Sequence, residues 1–183
     1  VLTQFAPVNA AVIAAMKQAR VIVRYGIGVD NVDLEAARTR GIPVCNVPDY
    51  CTDEVADHTL ALILALTRQV VATCTHVRSG KWSLPVALET MHALKALTVG
   101  VVGFGRIGRE VVHRLRGFKC KLLVFDPAVP AAEVERAGCT PAGLDELLRT
   151  ADIVTLHCPS TAATRGMIDR AALAEMKPGA LLI

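Results

Sequence analysis

A chain of 183 residues suffices for one large domain, or for one domain and part of another. At 52% hydrophobic but only 4% aromatic, its interior must be built from Val, Leu, Ile and Ala, the usage of a parallel sheet covered by helices. The net charge of +3 is modest and no lysine- or arginine-rich block with interleaved aromatics occurs, which argues against direct nucleic-acid binding.

Cys45, Cys51, Cys74, Cys120, Cys139 and Cys158 form no CxxC pair and lack the Cys/His spacing of a zinc site, so reduced cytoplasmic thiols and no metal are expected. There is no basic start followed by an apolar segment, and no apolar run approaches the length that spans a bilayer. The expectation is a soluble, cytoplasmic protein with no membrane partner. Val1 is not an initiator residue, and the closing Ala180-Leu181-Leu182-Ile183 reads as a strand cut in its middle, so the chain is expected to be a fragment.

In chain order, the first fifty residues predict a helix near 8–18, a strand at 20–24, a helix at 33–40 and a strand at 42–46, with Gly41-Ile42-Pro43 punctuating the last turn. Residues 1–51 are assigned to part of one domain. From Thr52 to about Val77 nothing breaks a helix. Thr52 suits its cap, Asp53 and Glu54 suit the positive end of its dipole, and the all-apolar stretch 60–66 predicts a buried middle. A loop follows from Gly80-Lys81-Trp82-Ser83 to Pro85. Residues 52–93 therefore read as an interlobe helix and loop, and residues 94–183 as a second domain.

That second domain opens on the run Val99-Gly100-Val101-Val102-Gly103-Phe104-Gly105-Arg106-Ile107-Gly108. A buried strand at 99–102, a glycine turn and a helix opening near Arg106 would aim free backbone N–H groups at a pyrophosphate. Gly103 permits the turn, Gly105 lets backbone approach phosphate, and Gly108 lets helix lie close on strand. A bare GxGxxG is weak. Here an amphipathic stretch (Ile107, Val111, Val112, Leu115) follows, and a second apolar run ends at Asp126, eighteen residues after Gly108. A carboxylate there accepts hydrogen bonds from a ribose diol and repels a 2′-phosphate. Pro127, Ala128 and Val129 supply no arginine to neutralise one, which favours NAD over NADP as the expected cofactor.

Beyond Asp126 come a helix at 131–137, a short strand at Cys139, a helix at 144–149, a strand at 152–157, a helix at 170–176 and a closing strand after Lys177-Pro178-Gly179. Strands and helices alternate throughout. The predicted fold class is α/β, a doubly wound parallel sheet of Rossmann-like type with part of a second, flavodoxin-like domain.

Seven stretches then carry a resemblance along almost the whole chain. They are Arg24-Tyr25-Gly26-Ile27-Gly28-Val29-Asp30-Asn31, Asn46-Val47-Pro48, Val55-Ala56-Asp57-His58-Thr59, Gly80-Lys81-Trp82, the glycine motif with His157-Cys158-Pro159-Ser160-Thr161, and Met176-Lys177-Pro178-Gly179-Ala180. Together they resemble the D-isomer-specific 2-hydroxy acid dehydrogenases, which include phosphoglycerate dehydrogenase, glyoxylate/hydroxypyruvate reductase and C-terminal binding protein. The resemblance implies hydride transfer between NAD and C2 of a small 2-hydroxy or 2-oxo acid, in a homodimer. It implies that Arg106 and Ile107 face the pyrophosphate, Asp126 the adenosine ribose, Cys158 and Pro159 the adenine or ribose, and Ile27 the nicotinamide. Gly26, Ile27 and Gly28 would cradle the substrate carboxylate with backbone N–H groups, and Arg24 would add a cation for a charged substrate such as 3-phosphoglycerate.

The arginine, glutamate and histidine that the family uses for catalysis would fall after Ile183, so no catalytic residue is assigned and no turnover is expected of this chain alone. Asp57 departs from the glutamate common in that place, and Tyr25 from a small residue. None of the five histidines replaces the acid: His58 lies in the apolar helix, His157 reads as pocket lining, and His76, His92 and His113 read as surface or loop residues. Two other readings compete: an NAD-responsive corepressor that recruits a peptide partner, and an NAD-linked dehydrogenase of formate or phosphite.

Overall fold

The computed structural model describes residues 1–183, which divide into two compact units, Val1–Cys51 and Thr52–Ile183. In the first, β1 (Leu2–Thr3), α1 (Ala10–Ala15), β2 (Ile22–Arg24), α2 (Leu34–Thr39) and β3 (Val44–Cys45) form a parallel sheet of order β1-β2-β3 with two helices. The elements are shorter than the sequence predicts, for identifiable reasons. Asn9 caps α1 by accepting from the Val12 N–H at 3.0 Å, and Val8, expected inside the helix, instead forms a parallel bridge with Val32. At the other end, Arg40 donates to the carbonyls of Ile13 and Ala14 at 2.5 and 2.8 Å, satisfying the last turn. Asp33 caps α2 through the Ala36 N–H at 2.9 Å. Val8, Ile13, Ile22, Val32, Ala37 and Ile42 make the core.

The second unit opens with α3 (Thr52–Thr67) and α4 (Val70–Arg78). The sequence predicts one helix to about Val77; the structure breaks it, with the two axes at 59° and Gln69 in a left-handed conformation (φ 52°). The Thr67 hydroxyl bonds back to the Ile63 carbonyl at 2.7 Å, a device that bends helices. The Gln69 N–H then reaches only the Leu66 carbonyl, at 3.2 Å, and two β-branched residues follow. No glycine or proline advertises the break. The all-round burial expected at 60–66 is also corrected. Ala56, Thr59, Leu60, Ile63 and Thr67 form a buried stripe at helical spacing, whereas Leu62 and Leu66 are exposed. No single helix is long and apolar enough to cross a membrane.

After two short 3-10 turns come β4 (Thr98–Val102), α5 (Arg106–Arg116), β5 (Lys121–Phe125), α6 (Ala131–Arg136), β6 (Thr140–Pro141), α7 (Leu144–Thr150), β7 (Ile153–Leu156), α8 (Arg170–Glu175) and β8 (Leu181–Leu182). The short strand expected at Cys139 begins one residue later, and Cys139 is buried beneath it. The sheet is all parallel, in the order β6-β5-β4-β7-β8.

Alternation along β4 places Val99 and Val101 in one core cluster with Leu122, Val124 and Ile153, and Val102 in another with Leu147, Leu148 and Val154. Ala56, Leu60 and Ile63 of α3 and Val111, Val112 and Leu115 of α5 join the first cluster, so both sheet faces are covered and the strands need no polar side. Arg114 ties α5 to α3 through Asp53 and Asp57 at 2.6 and 2.7 Å, and also pairs with Glu110 at 2.7 Å.

Candidate functional site

Strand order reverses at β4: the chain moves to β5 and β6 on one side, then crosses to β7 and β8 on the other. A doubly wound sheet opens a crevice at the carboxyl ends of its strands at such a reversal. Register fixes what meets there. Val102 lies beside Phe125 on one flank and Leu156 on the other, so the next residues of the three strands, Gly103, Asp126 and His157, emerge side by side. All three line one cavity of about 390 Å³, together with Gly105, Cys158 and Pro159.

The glycines divide their duties as the spacing implies. Gly103 has φ +96°, and a Cβ there would meet the Cys158 nitrogen and His157 carbonyl carbon at 2.7 Å. At Gly108 a Cβ would overlap the Gly103 carbonyl oxygen, which only a bare backbone permits. At Gly105, by contrast, a Cβ would meet nothing within 4 Å: its openness serves something other than this chain's own packing. Gly105 is the N-cap of α5, and the first turn of a helix presents N–H groups with no intrahelical acceptor and a partial positive charge. The space, donors and sign fit a dinucleotide pyrophosphate.

Asp126 is fixed by two backbone donors. Its Oδ2 accepts from the Phe104 N–H at 2.7 Å, which pins the glycine turn, and its Oδ1 accepts from the Ala128 N–H at 2.9 Å. A carboxylate offers about four acceptor sites, so two remain for a ribose diol. Sequence reading assigned Phe104 no role. It is 1% exposed and packs in the core, while its amide holds the acid; an apolar residue between the two glycines was the available sign. The second bond is an Asx turn, legible in Asp126-Pro127-Ala128.

His157 forms wall, not acid. Its N–H donates to the Val102 carbonyl at 2.7 Å, its Nε2 lies 2.9 Å from the Thr155 hydroxyl, and burial pushes its pKa down to about 4. The ring is therefore neutral at pH 7 and leaves the cavity without a cation on that side. Arg106 is exposed at the first position of α5. The Ile107 side chain packs against the core, so Ile107 has only its N–H to offer a phosphate.

In the first unit, Gly26 has φ +155° and lies against the Arg24 guanidinium. The cradle expected at 26–28 needs one correction: the Gly26 N–H is already given to the Arg24 carbonyl at 2.9 Å, which leaves the N–H groups of Ile27 and Gly28 as donors. The Ile27 carbonyl accepts from Asn46 Nδ2 at 2.7 Å, and the buried Nε of Arg24 has no hydrogen-bond partner. A larger hollow in the second unit, about 480 Å³, is bordered by Asp152, but that carboxylate is already committed to Lys177 and the Thr98 N–H, both at 2.8 Å.

A parallel sheet with a glycine turn, an open helix N-terminus and a seated carboxylate defines a dinucleotide-binding domain of the doubly wound class. Residues 60–183 match the family model described as D-isomer specific 2-hydroxyacid dehydrogenase, NAD binding domain, and the chain belongs to that family. It is 39% identical over 176 residues to a D-3-phosphoglycerate dehydrogenase of Mycobacterium tuberculosis, covering 96% of this chain and 33% of the relative. A hydroxypyruvate reductase of Thermotoga maritima is 36% identical over 176 residues, covering 96% of this chain and 56% of the relative. Among solved structures, a D-lactate dehydrogenase from Aquifex aeolicus complexed with NAD and lactic acid superposes with a TM-score of 0.91 at 31% identity, covering 99% of this chain and 55% of that one. The chain spans about a third of the length of the phosphoglycerate dehydrogenases it matches.

Proposed function

We propose that the whole protein is an NAD-dependent oxidoreductase acting at C2 of a small 2-hydroxy or 2-oxo acid, of the kind represented by 3-phosphoglycerate, glyoxylate and hydroxypyruvate. The observation that carries this reading is the Asp126 carboxylate, braced on two backbone N–H groups and set at the crevice beside the mouth of α5. When bound, the dinucleotide supplies the hydride chemistry. Gly103, Gly105 and Gly108 shape its seat, the first-turn N–H groups at Arg106 and Ile107 receive the pyrophosphate, Asp126 takes the adenosine ribose, and Cys158 and Pro159 wall the adenine side.

Residues 1–51 form part of the substrate domain in this reading, 52–93 the linking helix and loop, and 94–183 the coenzyme domain. The N–H groups of Ile27 and Gly28 receive the substrate carboxylate, Ile27 approaches the nicotinamide, and the Arg24 guanidinium beside Gly26 adds a cation for a charged substrate. A homodimer is proposed on the exposed apolar residues Leu62 and Leu66 of α3, Val70 and Val71 of α4, and Trp82, which is 93% exposed; a second copy is the occupant proposed for them. Six free thiols suit the reducing cytoplasm.

The test is turnover followed by NADH absorbance, with hydroxypyruvate and glyoxylate as acceptors for the whole protein and 3-phosphoglycerate as donor. Turnover of at least one of these acids is expected of the whole protein, and NAD binding without turnover of residues 1–183 alone. A whole protein that binds NAD yet turns over no 2-hydroxy or 2-oxo acid contradicts the reading.

A further inference from the structure

We propose that Glu133 is a second determinant of coenzyme choice, acting by holding Arg109 away from the position a 2′-phosphate would take. The proposal rests on the NAD reading above and extends it to side chains outside the glycine motif and Asp126. Pro127, Ala128 and Val129 supply no arginine, but the fold brings one from α5. The Arg109 guanidinium lies 4.3 Å above the centroid of the Phe104 ring, and its Nη2 is 2.7 Å from Oε1 of Glu133 on α6. The amide of the same Phe104 donates to Asp126 at 2.7 Å. One residue thus carries the ribose-facing carboxylate on its backbone and a cation on its ring.

An arginine fork is the side chain best matched to a phosphate dianion, and its presence near the ribose is what distinguishes sites that accept NADP. Here the fork is occupied. Glu133 neutralises Arg109 and the aromatic face beneath holds it in place. NADP therefore meets the charge of Asp126 with no cation to offset it, while the neutral ribose diol of NAD needs none. The Arg109 and Glu133 side chains are 39% and 38% exposed, so the pair has solvent around it in which to separate, and such surface pairs are weak.

The experiment is calorimetric titration of NAD and of NADP into the 183-residue chain as wild type, as E133Q and E133A, and as the double variant R109Q/E133Q. The expected result is an NADP affinity about two- to fivefold higher in E133Q and E133A, the fold-change that corresponds to parting one exposed ion pair, with NAD affinity unchanged and the gain lost in the double variant. An unchanged NADP to NAD ratio in both single variants overturns the proposal. So does a gain that survives in the double variant, since removal of a negative charge alone would then explain it. Failure of the wild type to bind NAD removes the underlying reading, a distinct outcome from NAD binding with an unmoved ratio.

Discussion

The chain has two glycine turns that follow parallel strands, 26–28 after β2 and 103–108 after β4, and they are constrained by different things. At 103–108 the identities are dictated by backbone: a Cβ on Gly103 or Gly108 strikes main-chain atoms that have nowhere to go. At Gly26 a Cβ would meet only the guanidinium and Nε of Arg24, the mobile end of a long side chain, although φ +155° still disfavours other residues. The helix after the first turn starts only at Leu34, whereas α5 starts one residue beyond Gly105. One turn thus opens directly onto a helix N-terminus. The other does not.

Substitution sharpens this contrast most strongly at Gly108. Gly108→Ala is expected to destabilise the second unit by about 2–4 kcal/mol and to abolish NAD binding, read from urea unfolding and calorimetry. Gly26→Ala should cost about 1–2 kcal/mol and leave NAD affinity unchanged. Equal costs at the two glycines would break the comparison.

Next in size is Asp126→Ala. Loss of the acceptor should weaken NAD about tenfold and orphan the Phe104 amide, while NADP, relieved of a like charge, weakens less, so their ratio moves toward NADP. Arg24→Met in the whole protein should leave NAD affinity alone and raise KM for the acid.

The smallest effect is the pH dependence from His157. Its folded pKa of about 4 lies below the ordinary 6.5, so between those values the unfolded chain binds the extra proton and stability falls as pH falls. Urea midpoints measured across that window should decline less steeply in His157→Gln than in the wild type; identical slopes would deny the burial its effect.

Much of this was legible in the residues, for reasons the structure makes plain. The alternation of apolar runs and helical stretches encodes the parallel sheet because both faces of β4 are buried, and the distance from Gly108 to Asp126 is the length of helix α5 and strand β5 that return the chain to the crevice. Three things were not legible. The break at Gln69 involves no glycine or proline and shows only as a left-handed residue in an otherwise helical stretch. The exposure of Leu62 and Leu66 cannot be read from composition, because an apolar surface and an apolar core use the same residues. The Arg109–Glu133 pair joins two helices, and only the packing of α5 beside α6 brings it to the glycine turn. In the first unit, the use of the Gly26 N–H inside its own turn depends on a single dihedral angle that the motif does not specify.

The central claim is that a diphosphate rests on the first turn of α5 while the adenosine ribose is held by Asp126. A crystal structure of this chain grown with NAD tests it most directly. The account predicts both ribose hydroxyls within hydrogen-bond distance of the Asp126 carboxylate and phosphate oxygens on the N–H groups that open α5. A ribose turned away from Asp126, or a pyrophosphate seated elsewhere, would contradict it.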